Sequence, residues 1–264
     1  RILANRGQRL DAHHPSNESA DVLNRRVFDL SIASWQEHIK SLPTINRAWI
    51  TSAKKTGSKI ALVDYTLDRE LSGHQALTGS LMLARRIRPK KGEQNIGVLL
   101  PTSAGGALLN MAVLLAGKTI VNLNYTASRE ALQNAIRMAD IRTVYTSNRF
   151  LRKLEQKGVV LGDVFADMDV VDLEELNNAI PVWEKLTTLL GVKLLPTFLL
   201  QSIYSYHQNG ETTAAILFSS GSEGIPKGVM LSHNNIVANV KQVAEVLNME
   251  DDDAIIANLP LFHA

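Results

Sequence analysis

The sequence predicts an α/β fold built on a mostly parallel sheet with helices on both faces. Three observations lead there. From Lys59 onward, short β-branched or leucine-rich runs alternate with helical stretches, the order in which crossover units lay parallel strands side by side. The chain has 264 residues, 45% of them apolar, and a formal net charge of only +2, so it can bury the core of one or two domains. It has no cysteine, which excludes a disulfide scaffold, a thiolate metal site and a cysteine nucleophile.

Each element follows from local pattern. In residues 21–39, Val22, Leu23, Val27, Leu30, Ile32, Trp35 and Ile39 recur at helical spacing and predict an amphipathic helix. Pro43, with Thr44 as a cap, opens a second helix to about residue 55, where Thr56-Gly57-Ser58 stops it. This pair reads as a linker or as the tail of a preceding domain. Strands are then expected at residues 60–63, 96–100, 119–123, 143–145, 168–171 and 214–218. Helices are expected between them at 72–87, 104–116, 128–138 and 173–179. In a sheet of this kind, ligands bind beyond the carboxyl ends of the strands. The run Ala104-Gly105-Gly106-Ala107 reads as a close-packing site, because no G-x-G-x-x-G follows a strand there.

Residues 181–208 carry Trp183, paired leucines, Pro196, Phe198, Tyr204 and Tyr206 with little charge. They are expected to form buried helix, with an interfacial element or an acyl-chain wall as the alternative. The longest apolar run, residues 189–204, is broken by Lys193 and Pro196 and falls short of the ~20 residues that span a bilayer.

Charge is uneven along the chain. Residues 1–59 carry ten Lys or Arg against five acids, and residues 201–264 carry two against seven, which places a domain seam near residues 40–60. A basic patch suits anionic lipid or nucleic acid; the reading preferred here is a solvated helical face, with no nucleic-acid partner. The chain opens on Arg1 and closes inside LPLFHA, and both ends are expected to be cuts in a longer protein.

The stretch that carries chemistry is ILFSSGSEGIPKGVMLSHNN, residues 216–235. A buried strand runs into Ser219, Ser220, Gly221, Ser222, Glu223, Gly224, Ile225, Pro226, Lys227 and Gly228, and a second short strand follows. Glycines let successive N–H groups converge on an anion, hydroxyls add donors, and Lys227 adds positive charge, so the loop suits a polyphosphate. Composition alone leaves this balanced against an ordinary Gly/Ser surface turn. Other loop patterns fail: Lys227 is followed by Gly228 where a Walker A loop needs Ser or Thr, and Ser222 lies one glycine short of a nucleophile elbow. Serine hydrolase chemistry is therefore disfavoured, and His233 reads as a structural residue beside the Ser232 helix cap.

The loop resembles the phosphate-binding signature of the adenylate-forming superfamily, approximately [ST]SG[ST]-x-G-x-PKG followed by Ser/Thr-His-x-Asn. Ser219, Ser220, Gly221, Ser222, Gly224, Pro226, Lys227, Gly228, Ser232, His233 and Asn235 match it. Leu259-Pro260-Leu261-Phe262-His263 resembles that superfamily's LPLFH motif. Glu223, the VNLNYT of residues 121–126 and the following ASREALQNAIRMADIRTVY narrow the resemblance. These features resemble the acyl-acyl-carrier-protein synthetase half of bifunctional bacterial 2-acylglycerophosphoethanolamine acyltransferase/synthetases. The resemblance covers residues 45–264, and residues 1–44 would then be a helical linker or the end of the acyltransferase module. That module's HX4D motif is absent, since none of the seven histidines has Asp five residues on.

The resemblance implies that fatty acid and ATP, with Mg²⁺, form an acyl-adenylate and pyrophosphate, after which the acyl group passes to the thiol of acyl carrier protein, with coenzyme A as the alternative acceptor. Ser219, Ser220, Gly221, Ser222, Glu223, Gly224, Lys227 and Gly228 would hold the nucleotide phosphates. Lys227 would stabilise the leaving group, and His263 would orient or gate the carboxylate. No metal ligand is assigned. A lysophospholipid would be the partner of the fused acyltransferase, and the parent enzyme would make peripheral contact with the cytoplasmic face of the bacterial inner membrane. The superfamily's adenine, ribose and acidic Mg²⁺ motifs follow LPLFH and are not in this sequence, so the 264 residues alone are expected to be inactive.

Overall fold

The computed structural model describes residues 17–87, 90–206, 208–219 and 227–263. Helices α1 (Asn17–Lys40) and α2 (Ile45–Thr56) come first, then a hairpin of β1 (Ile60–Asp64) and β2 (Arg69–Ser72). There follow α3 (Gly73–Ala84), β3 (Asn95–Val98), α4 (Ala104–Leu115), β4 (Thr119–Asn122), α5 (Arg129–Met138), β5 (Thr143–Thr146) and α6 (Asn148–Gln156). The chain continues through β6 (Asp169–Asp172), α7 (Leu173–Asn178), α8 (Val182–Leu194), α9 (Thr197–Tyr204), β7 (Thr213–Ser219), β8 (Lys227–Ser232) and α10 (His233–Val246).

Six strands form the main sheet in the order β6-β5-β3-β4-β7-β8. The first five are parallel and β8 returns antiparallel to β7. The buried central strands are β-branched or apolar on both faces, as a covered parallel sheet requires. On one face Val121, Leu123 and Val144 pack against Leu132 and Ile136 of α5 and Leu154 of α6. On the other, Ile96, Val98 and Ile120 pack against Leu109 and Val113 of α4. A second helical layer lies beyond α4, where Ile50, Leu77, Leu81, Leu115, Val192 and Leu200 close a third cluster. The α/β fold with a mostly parallel sheet is thus as the sequence predicts.

Helix starts follow cap chemistry. Ser72, Ser103, Ser128, Ser147 and Asp172 each accept a backbone N–H at the head of the helix that follows. Glu93, 1% exposed, joins the amino ends of β3 and β5: its carboxylate accepts from the N–H groups of Arg142 and Thr143, both at 2.7 Å, and from the Thr143 hydroxyl at 2.8 Å.

The structure differs from the sequence expectations at four points. The strand near residue 60 leaves the main sheet, because it pairs only with β2, a polar strand that the pattern did not reveal. Helix α6 was not expected: its sequence, NRFLRKLEQ, offers only Phe150, Leu151 and Leu154 to the core. Residues 104–107 do provide close packing, but at Gly106 the neighbour is Leu261 rather than a helix. Residues 181–208 are two helices rather than one buried helix. Thr188, Val192 and Leu200 are buried, whereas Trp183, Leu190 and Phe198 are exposed, because α8 and α9 are the outermost layer of the described residues.

Candidate functional site

Strand order creates two reversals at the carboxyl edge of the sheet. The chain leaves β4 to cross back over β3 toward β5, whereas it leaves β7 outward toward β8. Adjacent strands whose connections diverge open a crevice at their carboxyl ends, where ligands bind in α/β sheets. Ser219 ends β7 at this crevice and Lys227 opens β8 directly opposite it, the two residues being register partners. The next pair inward is Phe218 with Gly228, and a Cβ on Gly228 would stand 3.1 Å from the Phe218 ring. Glycine therefore lets the ring lie across the neighbouring strand while Phe218 packs against the core.

Lys227 is exposed and has no ion-pair partner among the described residues, so its ammonium is available to an anion at the hairpin mouth. Ser220, Gly221, Ser222, Glu223 and Gly224 of the predicted set lie outside the described residues. Ser219, Lys227, Gly228 and His263 lie within them.

The segment 259–263 comes back to the same edge, seated on the loops after β3 and β4. Thr102 donates its hydroxyl proton to the Leu259 carbonyl at 2.6 Å. Leu261 lies against Gly106, where an added Cβ would come within 2.6 Å of its Cδ1 and 2.9 Å of the Pro101 carbonyl. The Phe262 ring meets Tyr125 edge to face at 4.9 Å, and Tyr125 meets Phe150 of α6 in the same way at 5.0 Å. Burial pushes the Tyr125 phenol above its usual pKa, which keeps it neutral. The turn closes with the His263 N–H donating to the Pro260 carbonyl at 3.0 Å, and the His263 side chain is exposed. Thr102, Gly106, Tyr125 and Phe150 support this segment. Of these, Tyr125 within VNLNYT and Gly106 within the 104–107 run lay in stretches that the sequence singled out, whereas Thr102 and Phe150 did not.

The α4 end of the edge is fixed by a buried carboxylate. Asp64, 5% exposed, accepts from the Ala104 N–H at 2.8 Å and from the Leu67 N–H at 3.1 Å, adding an anion at the first turn of α4.

The Ser232-His233-Asn234-Asn235 element lies at the opposite edge and is an anchor. Ser232 and Asn235 form a reciprocal capping box at the head of α10. His233 is fully buried; its Nδ1 accepts from the Ile45 N–H at 3.2 Å, which assigns the proton to Nε2, facing Gln208 Oε1 at 3.0 Å. Burial lowers its pKa to about 4, so the ring is neutral and structural, as expected. A shallow cavity of about 500 Å³ between α1 and α10 is lined by Lys40, Glu211, Asn234 and Asn239 and opens beside this anchor rather than at the crevice. Among the described residues no group of three His, Asp or Glu side chains is placed to hold a metal ion.

Comparison with known proteins bears on this site. The family model described as AMP-binding enzyme matches residues 49–264. The chain is 29% identical to long-chain-fatty-acid–CoA ligase 1 of Schizosaccharomyces pombe, over 68% of this chain and 26% of that protein. It is 24% identical to the chloroplastic long-chain-fatty-acid–[acyl-carrier-protein] ligase AEE15 of Arabidopsis thaliana, over 93% of this chain and 35% of that one. The chain thus spans about a third or less of the length of these relatives. In fold it resembles the O-succinylbenzoate coenzyme A synthetase of Bacillus subtilis, solved with AMP. The TM-score is 0.59 at 20% identity, covering 81% of this chain and 50% of the synthetase. With the family model covering most of the sequence, the chain belongs to the AMP-binding enzyme family.

Proposed function

We propose that the chain is part of a fatty acyl-acyl-carrier-protein synthetase, residues 45–264 contributing the N-terminal part of its adenylation domain. In this reading residues 1–44 are a helical linker or the tail of a preceding acyltransferase module. The observation that carries the proposal is Ser219 paired with Lys227, which has no ion-pair partner among the described residues, with residues 259–263 seated on the same edge.

A fatty carboxylate oxygen attacks the α-phosphorus of ATP, the bond to the bridging oxygen breaks, and pyrophosphate leaves. A phosphopantetheine thiol then attacks the acyl carbon, gives up its proton, and AMP departs. Lys227 faces the β- and γ-phosphates, where charge-assisted contacts stabilise the leaving group. The Ser219 hydroxyl supplies a donor, and Ser220, Gly221, Ser222, Glu223, Gly224 and Gly228 complete the phosphate cradle. His263 orients or gates the carboxylate and is not its base, because a fatty acid is already ionised at neutral pH. Mg²⁺ accompanies the nucleotide. The described residues offer it no ligand cluster, so no step is assigned to it.

Similarity to the Arabidopsis carrier-protein ligase supports acyl carrier protein as acceptor. Similarity to the fission-yeast ligase supports a second reading, with coenzyme A. Reacylation of a lysophospholipid by a fused acyltransferase at the cytoplasmic face of a bacterial membrane belongs to the same proposal. Its support is the resemblance carried by Glu223 and VNLNYT.

The test is fatty-acid-dependent ATP–pyrophosphate exchange by the longer protein that contains this chain. Lys227→Ala should lower exchange by about a hundredfold or more, the scale of losing one preorganised charge contact to the reacting group. The 264 residues alone should give no exchange, yet should bind pyrophosphate more weakly after Lys227→Ala. Exchange that is unchanged in the variant refutes the assignment. Product formation with holo-acyl carrier protein against coenzyme A separates the two acceptors.

A further inference from the structure

Helix α6 is cationic on the side that faces away from the core. Its apolar residues, Phe150, Leu151 and Leu154, pack against the cluster beneath it. Arg149, Arg152 and Lys153 stand three and four residues apart on the other side with Gln156, and Lys157 closes the helix; all five are exposed. Among the described residues none of the four cations forms an ion pair. The one acid of the helix, Glu155, stands on its flank, where with Leu151 it lines a small cavity of about 160 Å³. Glu174 of α7, at the helix head, accepts from the Ser147 hydroxyl at 3.1 Å.

This arrangement works against the helix itself. Arg149 sits in the first turn, where the helix dipole disfavours positive charge. Arg149 with Arg152, Arg149 with Lys153 and Lys153 with Lys157 are like-charge neighbours, which weaken a helix. The stability of α6 does not explain such a face, whereas an anionic partner does. Its surroundings decide the kind of partner. No apolar residue of α6 is exposed, so the face has nothing to insert into a bilayer. Arg129 and Arg142 are already paired with Asp163 and Asp140, so the free charge is confined to one helix about 13 Å long, a short track for a nucleic-acid backbone. Cations at helical spacing over that length match the acids along one helix of another protein.

We infer that the outward face of α6 docks an acidic helix of a partner protein beside the sheet edge that carries residues 259–263. The head of α6 lies at that edge, because it follows β5 and its Asn148 N–H donates to Asp172, at the end of β6, at 2.5 Å. Phe150, in its first turn, meets Tyr125, which in turn meets Phe262. A protein lying along α6 therefore ends against the segment proposed to orient the carboxylate. The partner that fits is the carrier protein whose thiol accepts the acyl group, a clause that rests on the proposed ligase activity; the cationic face itself does not.

The experiment has two arms. In the first, fluorescence anisotropy follows labelled holo-acyl carrier protein binding to the 264-residue chain across a salt series. Binding should weaken as salt rises, and Arg149→Gln with Arg152→Gln and Lys153→Gln should lower affinity about tenfold or more. In the second, the same triple variant of the longer protein that contains this chain should raise KM for holo-acyl carrier protein by a similar factor. Its kcat, its KM for coenzyme A and its ATP–pyrophosphate exchange should stay unchanged. Thermal unfolding of the variant should be unchanged or higher, because the charges removed oppose the helix. No binding by the parent chain, or equal binding by the variant, would overturn the inference. An equal rise in KM for coenzyme A would also overturn it, assigning the cations to a small phosphate ligand. So would parent binding to phosphatidylglycerol vesicles or a DNA duplex that the variant loses while carrier-protein affinity holds. A longer protein without exchange activity refutes the ligase and leaves the anisotropy arm to decide the docking.

Discussion

His233 makes acid sensitivity of the fold a quantitative expectation. Its ring is fully buried, and its pKa is lowered from 6.5 to about 4 by that burial. A group whose folded pKa lies below its unfolded value binds more protons when unfolded, so stability rises with pH between the two values. The contribution is complete above about 6.5, and it falls as pH drops toward about 4. The full shift corresponds to about 3 kcal/mol at about 1.4 kcal/mol per unit, of which about 2 kcal/mol is already lost near pH ~5. Carboxylates and His74, whose pKa is also lowered, chiefly by burial, titrate in or near the same window, so a difference measurement is needed. His233→Gln keeps an acceptor and a donor but cannot titrate. Urea denaturation of both proteins at a series of pH values should show the parent losing about 2 kcal/mol more than the variant between pH ~7.5 and pH ~5. Parallel stability curves would refute the reasoning, because they would mean that protonating His233 costs the folded state nothing.

Two further outcomes follow from buried contacts. Glu93→Ala leaves three backbone N–H groups, of Lys90, Arg142 and Thr143, and the Thr143 hydroxyl without their carboxylate, and should cost about 3 kcal/mol or more in a denaturant midpoint series; a loss below about 1 kcal/mol would mean that solvent replaces it freely. Gly106→Val places carbon 2.6 Å from Leu261 Cδ1 and 2.9 Å from the Pro101 carbonyl. It should therefore displace residues 259–263 and lower exchange in the longer protein with little change in pyrophosphate affinity, whereas equal losses in both would place the damage elsewhere.

The α/β class was legible because apolar strands and amphipathic helices alternate at different periods, and the serine caps at 72, 103, 128 and 147 mark where helices start. Helix α6 was hidden because its nine residues carry charges on most positions and few apolar ones. For α8 and α9, apolar content exceeds what one buried face needs, and composition does not distinguish a core from a face that another surface covers. Ser219, Lys227 and His263 could be named from motifs, but their meeting on one edge depends on the register of β7 with β8 and on Thr102, Gly106 and Tyr125, which are far from them in sequence.

Strand β8 joins Lys227 of the loop signature to its Ser232-His233-x-Asn235 element, and its geometry gives each end a role. Lys227 opens β8 at the carboxyl edge of the sheet, and Ser232 closes it at the other edge, about 17 Å away at roughly 3.3 Å per residue. Side chains alternate along a strand, so slipping β8 by one residue against β7 would turn Lys227 to the opposite face. The anchor at the Ser232 end resists that slip: the capping box fixes the head of α10, His233 is bonded to Ile45 and Gln208, and Asn234 donates to Glu211 at 2.7 Å. A register shift between Thr213 and Ala215 lies opposite this anchor, so the far end of the pairing from the crevice absorbs the irregularity. Pairing is then regular from Ala215 with Leu231 out to Ser219 with Lys227. The buried histidine and the exposed lysine are therefore mechanically coupled. Substitutions at His233 that leave the protein folded should change phosphate affinity through the register of Lys227, without His233 touching the ligand.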